Sequence, residues 1–375
     1  MFSYWEKKHF FDYGLIVVGS GFVGLSTAIH YKKKNPLANV LVLERGVFPS
    51  GASTKNAGFA CFGSLTEILS DLNSMTEDEV LALVERRYKG LNSIRTQFGD
   101  SILGYSPSYG YELLENSQQV ALDEMKYVNE LLRPLFNDDV FSLLGNPGAM
   151  GFSSQIKWIV KNEFEGELDP GKYLSALWKL AQEFQIRILT GVTVTEIMHK
   201  EGMVAGEGGG GKEILEFKSD KIAICTNAFT NKLLPDTAIQ PGRGLILLSE
   251  PLGFSIPWRG TFHMDEGYVY FRQVEERLLL GGARNKDFKN EETTEFALNP
   301  KIKLYLEKLA NEVIFPGEKV VWETEWTGIM AFGKIKSPII RHLEGKTAVG
   351  VRLGGMGVAI GWQVGRELSG LLSEM

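Results

Sequence analysis

The sequence predicts an α/β chain: a doubly wound, parallel-sheet domain through which an interleaved α+β domain with a mostly antiparallel sheet is threaded. Three observations predict it. A buried-strand pattern, a glycine turn, a helical repeat and a second buried strand follow one another within residues 15–43. Further strand and helix patterns of that kind recur in separated pieces. Between them the apolar residues alternate with the two-residue period of an antiparallel sheet. A length of 375 residues suits two domains.

Leu15-Ile16-Val17-Val18 is a continuous apolar run, as in a parallel strand buried on both faces. Leu25, Ala28, Ile29 and Tyr31 follow at helical spacing, and Lys32-Lys33-Lys34 places positive charge where a helix ends. Val40–Leu43 is a second buried strand. Thr76 and Glu79 have capping-box spacing ahead of a helix through Val80–Phe98. Asp169-Pro170 caps another, carrying Leu174, Leu177 and Leu180. Strand patterns follow at Ile186–Ile188, continuing into Val192–Ile197, and at Lys221–Cys225. The glycine run Gly206–Gly211 reads as a surface hairpin loop. Residues 100–155 are of mixed texture. Residues 239–320 alternate, as in Tyr268–Arg272 and Leu278–Leu280, with a helix near Ile302–Leu309. This divides the chain into 1–99, 156–238 and 322–375 for the first domain, and 100–155 and 239–321 for the second.

Composition excludes several classes of function. A net charge of -6 disfavours a nucleic-acid surface, which needs clustered Lys and Arg. Two cysteines, Cys61 and Cys225, build neither a disulfide framework nor a thiolate metal site, and the five histidines have no metal-ligand spacing. No apolar run reaches the roughly 18–20 residues that span a membrane. The first residues lack a signal-peptide core, so a cytoplasmic protein without an integral membrane segment is expected.

Gly19-Ser20-Gly21-Phe22-Val23-Gly24 is a G-x-G-x-x-G between the first strand and its helix. Gly19 permits the tight turn, Gly21 leaves room for a pyrophosphate, and Gly24 lets helix and strand pack closely. The helix N-terminus offers N–H groups and a positive dipole end to phosphate. Glu44, twenty residues after Gly24, suits a ribose 2′-hydroxyl and repels a 2′-phosphate. The turn therefore fits FAD or NAD in a Rossmann-type domain. The hydroxyl- and glycine-rich Gly51–Gly58 segment favours FAD: its hydroxyls can reach the pyrophosphate, and its small residues allow backbone near an isoalloxazine.

These residues resemble the D-amino-acid oxidase and glycine oxidase family of FAD-dependent oxidoreductases, in patches over nearly the whole chain. The patches are Val17–Leu25 with Glu44-Arg45 and Ser53–Gly58; Leu168-Asp169-Pro170 and Val192–Val194; Ile224–Phe229; Tyr268–Arg272 with Leu280–Gly282; and Trp326–Gly328 with Ser337-Pro338 and Gly354–Val358. The resemblance implies that Gly19, Gly21 and Gly24 hold the pyrophosphate and Glu44 the adenosine ribose, with Phe22, Val23 and Arg45 also binding the cofactor. Ser53 and Thr54 would add phosphate contacts, and Asn56, Ala57 and Gly58 would lie along the flavin. Val194, or its neighbour Val192, would offer backbone to the adenine, and Thr226 and Asn227 would also bind the cofactor. Gly354, Gly355, Met356, Gly357 and Val358 would lead into a last helix favouring negative charge on the reduced ring. Members often carry an Arg just after the Trp-x-Gly segment; here Met330 stands there. Relatives that attach the flavin to Cys in this region imply non-covalent FAD here, where Cys is absent.

The implied reaction is hydride transfer from an amine or amino acid to flavin N5, followed by imine hydrolysis, with oxygen or a quinone-type acceptor reoxidising the flavin. Tyr268 and Tyr270 share a strand face and read either as substrate-orienting hydroxyls or as core aromatics. Arg272 on that face reads as a carboxylate clamp or a surface ion pair, and Arg352 as a second anion site. Phe59 and Phe62 flank Cys61 and read as pocket lining or, better, as core. His263 lies near the second domain's strands. An NAD dehydrogenase, a tRNA-modifying flavoprotein and a flavin-binding protein without amine oxidase activity are the alternatives; the acidic balance disfavours the second.

Overall fold

The structure, a computed structural model, describes residues 1–211 and 213–375. Its strands are β1 (Asp12–Val18), β2 (Val40–Glu44), β3 (Phe59–Ala60), β4 (Gly110–Glu115), β5 (Phe141–Leu144), β6 (Ile156–Asn162), β7 (Gly166–Glu167), β8 (Arg187–Thr190), β9 (Thr193–Met198), β10 (Met203–Gly208), β11 (Glu213–Ile224), β12 (Gln240–Ser249), β13 (Thr261–Met264), β14 (Val269–Val274), β15 (Arg277–Gly282), β16 (Trp322–Phe332), β17 (Ile339–His342) and β18 (Thr347–Val351). The α-helices are α1 (Tyr4–Phe10), α2 (Phe22–Lys34), α3 (Leu65–Leu72), α4 (Glu77–Phe98), α5 (Asp100–Leu103), α6 (Gln119–Phe136), α7 (Pro170–Glu183), α8 (Phe288–Glu291), α9 (Pro300–Leu309) and α10 (Gly357–Glu374).

One sheet runs β17-β18-β11-β1-β2-β8, with β10 and then β9 added beside β11. Its β18, β11, β1, β2 and β8 are parallel, so both faces must be covered. Leu15, Val17, Val40 and Val42 pack on the helical side with residues of α2, α4, α7 and α10. Ile16, Val18, Leu41 and Leu43 pack on the other. Helices α2 and α10 approach closely because a Cβ on Gly365 would lie 2.4 Å from that of Ser26. The caps read from sequence are present: Asp169 accepts from Gly171 N and Lys172 N, and Thr76 and Glu79 cap each other.

The second sheet runs β16-β12-β15-β14-β13-β4-β6-β5 and is mostly antiparallel. Phe262, Phe271, Leu278, Leu280, Leu245 and Leu247 point from one face into a core closed by α9. Alternation sends His263, Tyr270, Gly281, Gly244 and Gly328 to the opposite face, which looks toward the first domain's nucleotide turn.

Four sequence expectations are corrected. The sequence pattern places 156–162 and 322–332 with the first domain, but both are strands of the second sheet, since a strand's own pattern does not reveal its partner. Ile186–Ile188 does not run on into Val192–Ile197: left-handed Gly191 (φ 72°) separates β8, paired with β2, from β9, paired with β10. Gly206 and Gly208 belong to β10, and the left-handed residues of the run are Gly209–Gly211. The mixed 100–155 region contains an 18-residue helix, α6, with Pro134 in its last turn.

Candidate active site

A cavity of about 550 Å³ lies between the two sheets, within the range of cofactor sites. Two helix N-termini open on it. Helix α2 begins after Gly21, which provides no side-chain cap, and α10 begins after Met356, which provides none either. Gly357, Val358 and Ala359 line the cavity, as do Gly21, Phe22 and Val23. Exposed first-turn N–H groups and two positive dipole ends make this one cavity suited to negative charge.

The nucleotide turn fits a pyrophosphate. Gly19 has φ 104°, and a Cβ on Gly24 would lie 1.8 Å from Gly19 O, so only glycine allows the helix this close. Ser53 Oγ accepts from Phe22 N at 3.0 Å, leaving its own proton for an anion. Glu44 is buried at the end of β2. Its Oε1 accepts from Gly46 N (2.9 Å), and its Oε2 from Ser20 N (3.2 Å) and Ser20 Oγ (2.7 Å). A carboxylate has about four acceptor positions, so one remains on the cavity side for a hydroxyl.

On the far side, Arg352 (φ 65°), Gly354 (φ 58°) and Gly355 (φ 85°) turn the chain from β18 into α10. Arg352 N donates to Asn227 Oδ1 at 3.1 Å, and Asn227 is itself left-handed at φ 45°. These two strained residues hold each other at the cavity edge. The Arg45 guanidinium lies 3.7 Å from the centroid of Phe229.

Most residues singled out from sequence meet here. Gly19, Gly21, Phe22, Val23, Glu44, Arg45, Ser53, Asn56, Ala57, Val194, Thr226, Asn227, Tyr268, Tyr270, Arg352 and Gly354–Val358 all line the cavity. Four placements are corrected. Thr54 is exposed and donates to Pro49 O and Gly51 O, outside the cavity wall. Gly58 is buried behind the wall, where a Cβ would meet Leu168 O at 2.2 Å. Arg272 is neither a substrate clamp nor a surface ion pair: Nε donates to Ala57 O (2.7 Å), Nη2 to Leu168 O (3.2 Å), and Nη1 pairs with Glu167 (3.2 Å). It fastens the segment before β3 to the second sheet. Gly24 likewise acts through packing rather than contact. Arg352 lines the cavity, but its side chain donates to Ser337 O and Ala238 O.

Sequence reasoning missed Arg284. It follows β15, where Gly282 (φ 98°) and Ala283 (φ 59°) turn the chain sharply. Its guanidinium lies 3.9 Å from the centroid of Phe332, 4.9 Å from that of Phe288 and 5.4 Å from that of Tyr268. Among the described residues no carboxylate comes within ion-pair reach of it. Burial pushes its pKa down, with partial offset from Tyr268 and Glu291. Phe59, Cys61, Glu67, Asp71, His263, Met330 and Lys336 also line the wall, whereas Phe62 is core.

This fold and site define a dinucleotide-dependent oxidoreductase whose cavity fits FAD. The chain matches the model of the family described as FAD dependent oxidoreductase (DAO) over residues 15–371, and it belongs to that family. Among solved structures it is similar to glycine oxidase from Geobacillus kaustophilus, at 16% identity and a TM-score of 0.76 over 97% of this chain and 95% of that one. It is also similar to L-proline dehydrogenase from P. horikoshii (17%, TM-score 0.74, 96% and 93%) and to iminodiacetate oxidase from Chelativorans sp. BNC1 (17%, TM-score 0.74, 96% and 95%). No curated protein matches the chain. No helix among the described residues is long and apolar enough to cross a membrane.

Proposed function

We propose that the chain holds FAD non-covalently and oxidises the C–N bond of an amine or amino acid, the α-hydrogen leaving as hydride and the imine then hydrolysing. The observation that carries the substrate reading is Arg284, a half-buried cation in the cavity wall with aromatic neighbours and, among the described residues, no carboxylate within ion-pair reach. Such a group is completed by a carboxylate, so a carboxylate-bearing amine is favoured over a plain one. Glycine, L-proline and iminodiacetate, which the names of the similar enzymes carry, are all amines of that kind.

FAD, when bound, supplies the two-electron acceptor. Gly19, Gly21 and the first turn of α2 would hold its pyrophosphate, with Ser53 donating. Glu44 would take a ribose hydroxyl, and Val194 would lie at the adenine. The first turn of α10 would favour negative charge at the ring. The chain's own residues orient and enclose the substrate: Arg284 takes the carboxylate, Tyr268 and Tyr270 form the facing wall, and Met330 and Phe332 exclude water. Oxygen or a quinone-type molecule would be the final acceptor. The buried, free state of Cys61 and Cys225 supports a cytoplasmic setting.

The test is to add amines and amino acids to the FAD-loaded protein without oxygen and record the flavin absorbance. Bleaching by carboxylate-bearing amines supports the reading, and admitting air then separates an oxidase from a dehydrogenase. A flavin that no amine bleaches would remove the C–N assignment.

A further inference from the structure

At the cavity wall, His263 of the second sheet meets Glu165 from the segment between β6 and β7. His263 on β13 lies in register between Glu112 of β4 and Tyr270 of β14. Its Nε2 is buried without a hydrogen-bond partner, and Glu165 Oε2 lies 3.8 Å away. The other side of the ring faces the cavity: a Cβ on Gly267 would lie 3.9 Å from His263 Nδ1 and 3.5 Å from Glu67 Oε2. His263, Gly267 and Glu67 all line the cavity.

Glu165 is 2% exposed. Its Oε1 accepts from Phe62 N (2.9 Å) and Gly63 N (3.2 Å). Its Oε2 occupies a slot left by a missing side chain, because a Cβ on Gly110 would lie 2.2 Å from it. One carboxyl oxygen is thus fixed by backbone, and the other is directed at an orphaned imidazole nitrogen. Burial holds Glu165 up at about 8 and His263 down at about 4. Near neutral pH the proton therefore sits on the carboxyl, and the imidazole is neutral.

We propose that His263 and Glu165 form a proton relay for the cavity, His263 taking a proton from the substrate ammonium at Nδ1 while passing its Nε2 proton to Glu165. The step balances as R–NH3⁺ plus a Glu165 carboxylate giving R–NH2 plus a Glu165 carboxylic acid. An N–H bond breaks on the substrate, and an O–H bond forms on Glu165. The imidazole is neutral before and after, its hydrogen having moved from Nε2 to Nδ1. No electrons change hands. The inference rests on the proposed C–N oxidation, because a neutral amine is the form that can lose a hydride from its α-carbon.

The other charged groups around the pair have partners of their own. Arg87 of α4 donates to Phe62 O and pairs with Glu67 of α3 at 3.2 Å. Lys336 pairs with Asp71 and approaches Glu67 at 3.9 Å. Glu112 accepts from Ser64 Oγ, Thr66 N and Thr66 Oγ1. Burial pushes the Cys61 thiol and the Tyr270 hydroxyl up, which keeps both neutral. Tyr105, near Gly166, is raised in the same way.

The test compares the FAD-loaded wild type with Glu165→Gln, which keeps an acceptor for Phe62 N and Gly63 N. With saturating amine and no oxygen, the limiting rate of flavin bleaching in the wild type should rise about tenfold between pH 7 and pH 9, as a base of pKa near 8 ionises. In Glu165→Gln that rise should vanish. Identical pH profiles in the two proteins would overturn the relay. A second measurement needs neither substrate nor variant: ¹⁵N NMR of histidine-labelled, FAD-loaded wild type across the same pH range. The His263 hydrogen should move from Nδ1 to Nε2 as Glu165 ionises, and a tautomer that stays unchanged would sink the pairing. If no amine bleaches the wild type, the C–N reading fails by itself, while the NMR result still decides whether the two groups are coupled.

Discussion

Arg284→Met tests the carboxylate assignment most directly. Methionine keeps an unbranched apolar stem against Phe332 while removing the charge. Losing one partner of a buried, charge-assisted pair costs about 2–4 kcal/mol. That corresponds to roughly 30- to 1000-fold in kcat/KM for amines carrying a carboxylate. For an amine of similar size without a carboxylate the change should stay within about threefold, since no pair is broken. Stability should move the other way or not at all. The guanidinium is half-buried, burial disfavours its charge, and no described carboxylate neutralises it, so its removal relieves a desolvation cost. The assay is anaerobic flavin bleaching with paired substrates, alongside thermal melts of the loaded protein. An equal loss for both substrate types would show that Arg284 shapes the cavity rather than binding an anion. A fall in melting temperature of several degrees would show that its rings and neighbours depend on it structurally.

Glu44→Gln places an amide nitrogen against either Gly46 N–H or Ser20 N–H, both donors, at a cost of about 1–3 kcal/mol. That cost falls on the apoprotein and is read by denaturant titration; FAD affinity, read by fluorescence titration, should weaken about 5- to 10-fold as a charged acceptor for the ribose hydroxyl becomes a neutral one, and an unchanged affinity would exclude Glu44 from the ribose contact. Glu291→Ala strands Arg243, which is 6% exposed and held by Nε–Oε2 (3.0 Å) and Nη2–Oε1 (2.7 Å) bonds. A loss of about 3–5 kcal/mol is expected by denaturant titration, and less than 1 kcal/mol would mean water replaces the carboxylate. Asp169→Ala removes the acceptor for two first-turn N–H groups of α7 and should cost about 1 kcal/mol. His30 and His263 are both held down at about 4 by burial. The unfolded chain takes up their protons from about pH 6.5 downward while the fold does not, so stability falls between about pH 6.5 and 4. Glu165, raised to about 8, has the opposite sense: its contribution is present below its ordinary value near 4.5 and is lost as pH rises through 8. Glu165→Gln should therefore remove a decline in denaturation midpoint that runs from about pH 4.5 to 8, and leave the histidines' fall below about pH 6.5 unopposed and steeper.

What could be read from sequence was what depends on neighbours along the chain. The Gly19–Gly24 turn, the Thr76 and Asp169 caps and the buried runs of β1 and β2 each declare themselves within a few residues. Strand partnership does not. β6 and β16 have ordinary strand patterns, and only the register with β4 and β12 assigns them to the second sheet. Helix α6 was hidden in a region of mixed texture, although Ala121, Val128 and Leu132 lie at helical spacing and are buried. The break between β8 and β9 had a signal in Gly191, the residue type that best tolerates the left-handed turn found there.

The arginines show why the substrate side was harder to read than the cofactor side. Sequence places Arg272 correctly on the face shared with Tyr270, but a guanidinium's role is set by the acceptors that surround it in space. Arg272 meets Ala57 O, Leu168 O and Glu167; Arg352 meets Ser337 O and Ala238 O; Arg243 meets Glu291. All three are completed by the protein, and their donors hold segments together. Arg284 lies among Phe332, Phe288 and Tyr268, whose ring faces attract a cation without supplying a counter-charge. A desolvated cation left in that state is disfavoured until an anion arrives. Of the guanidinium groups on this side of the cavity, Arg284 is therefore the one that gains most from a bound carboxylate, and the absence of Arg at Met330 does not leave the cavity without an anchor.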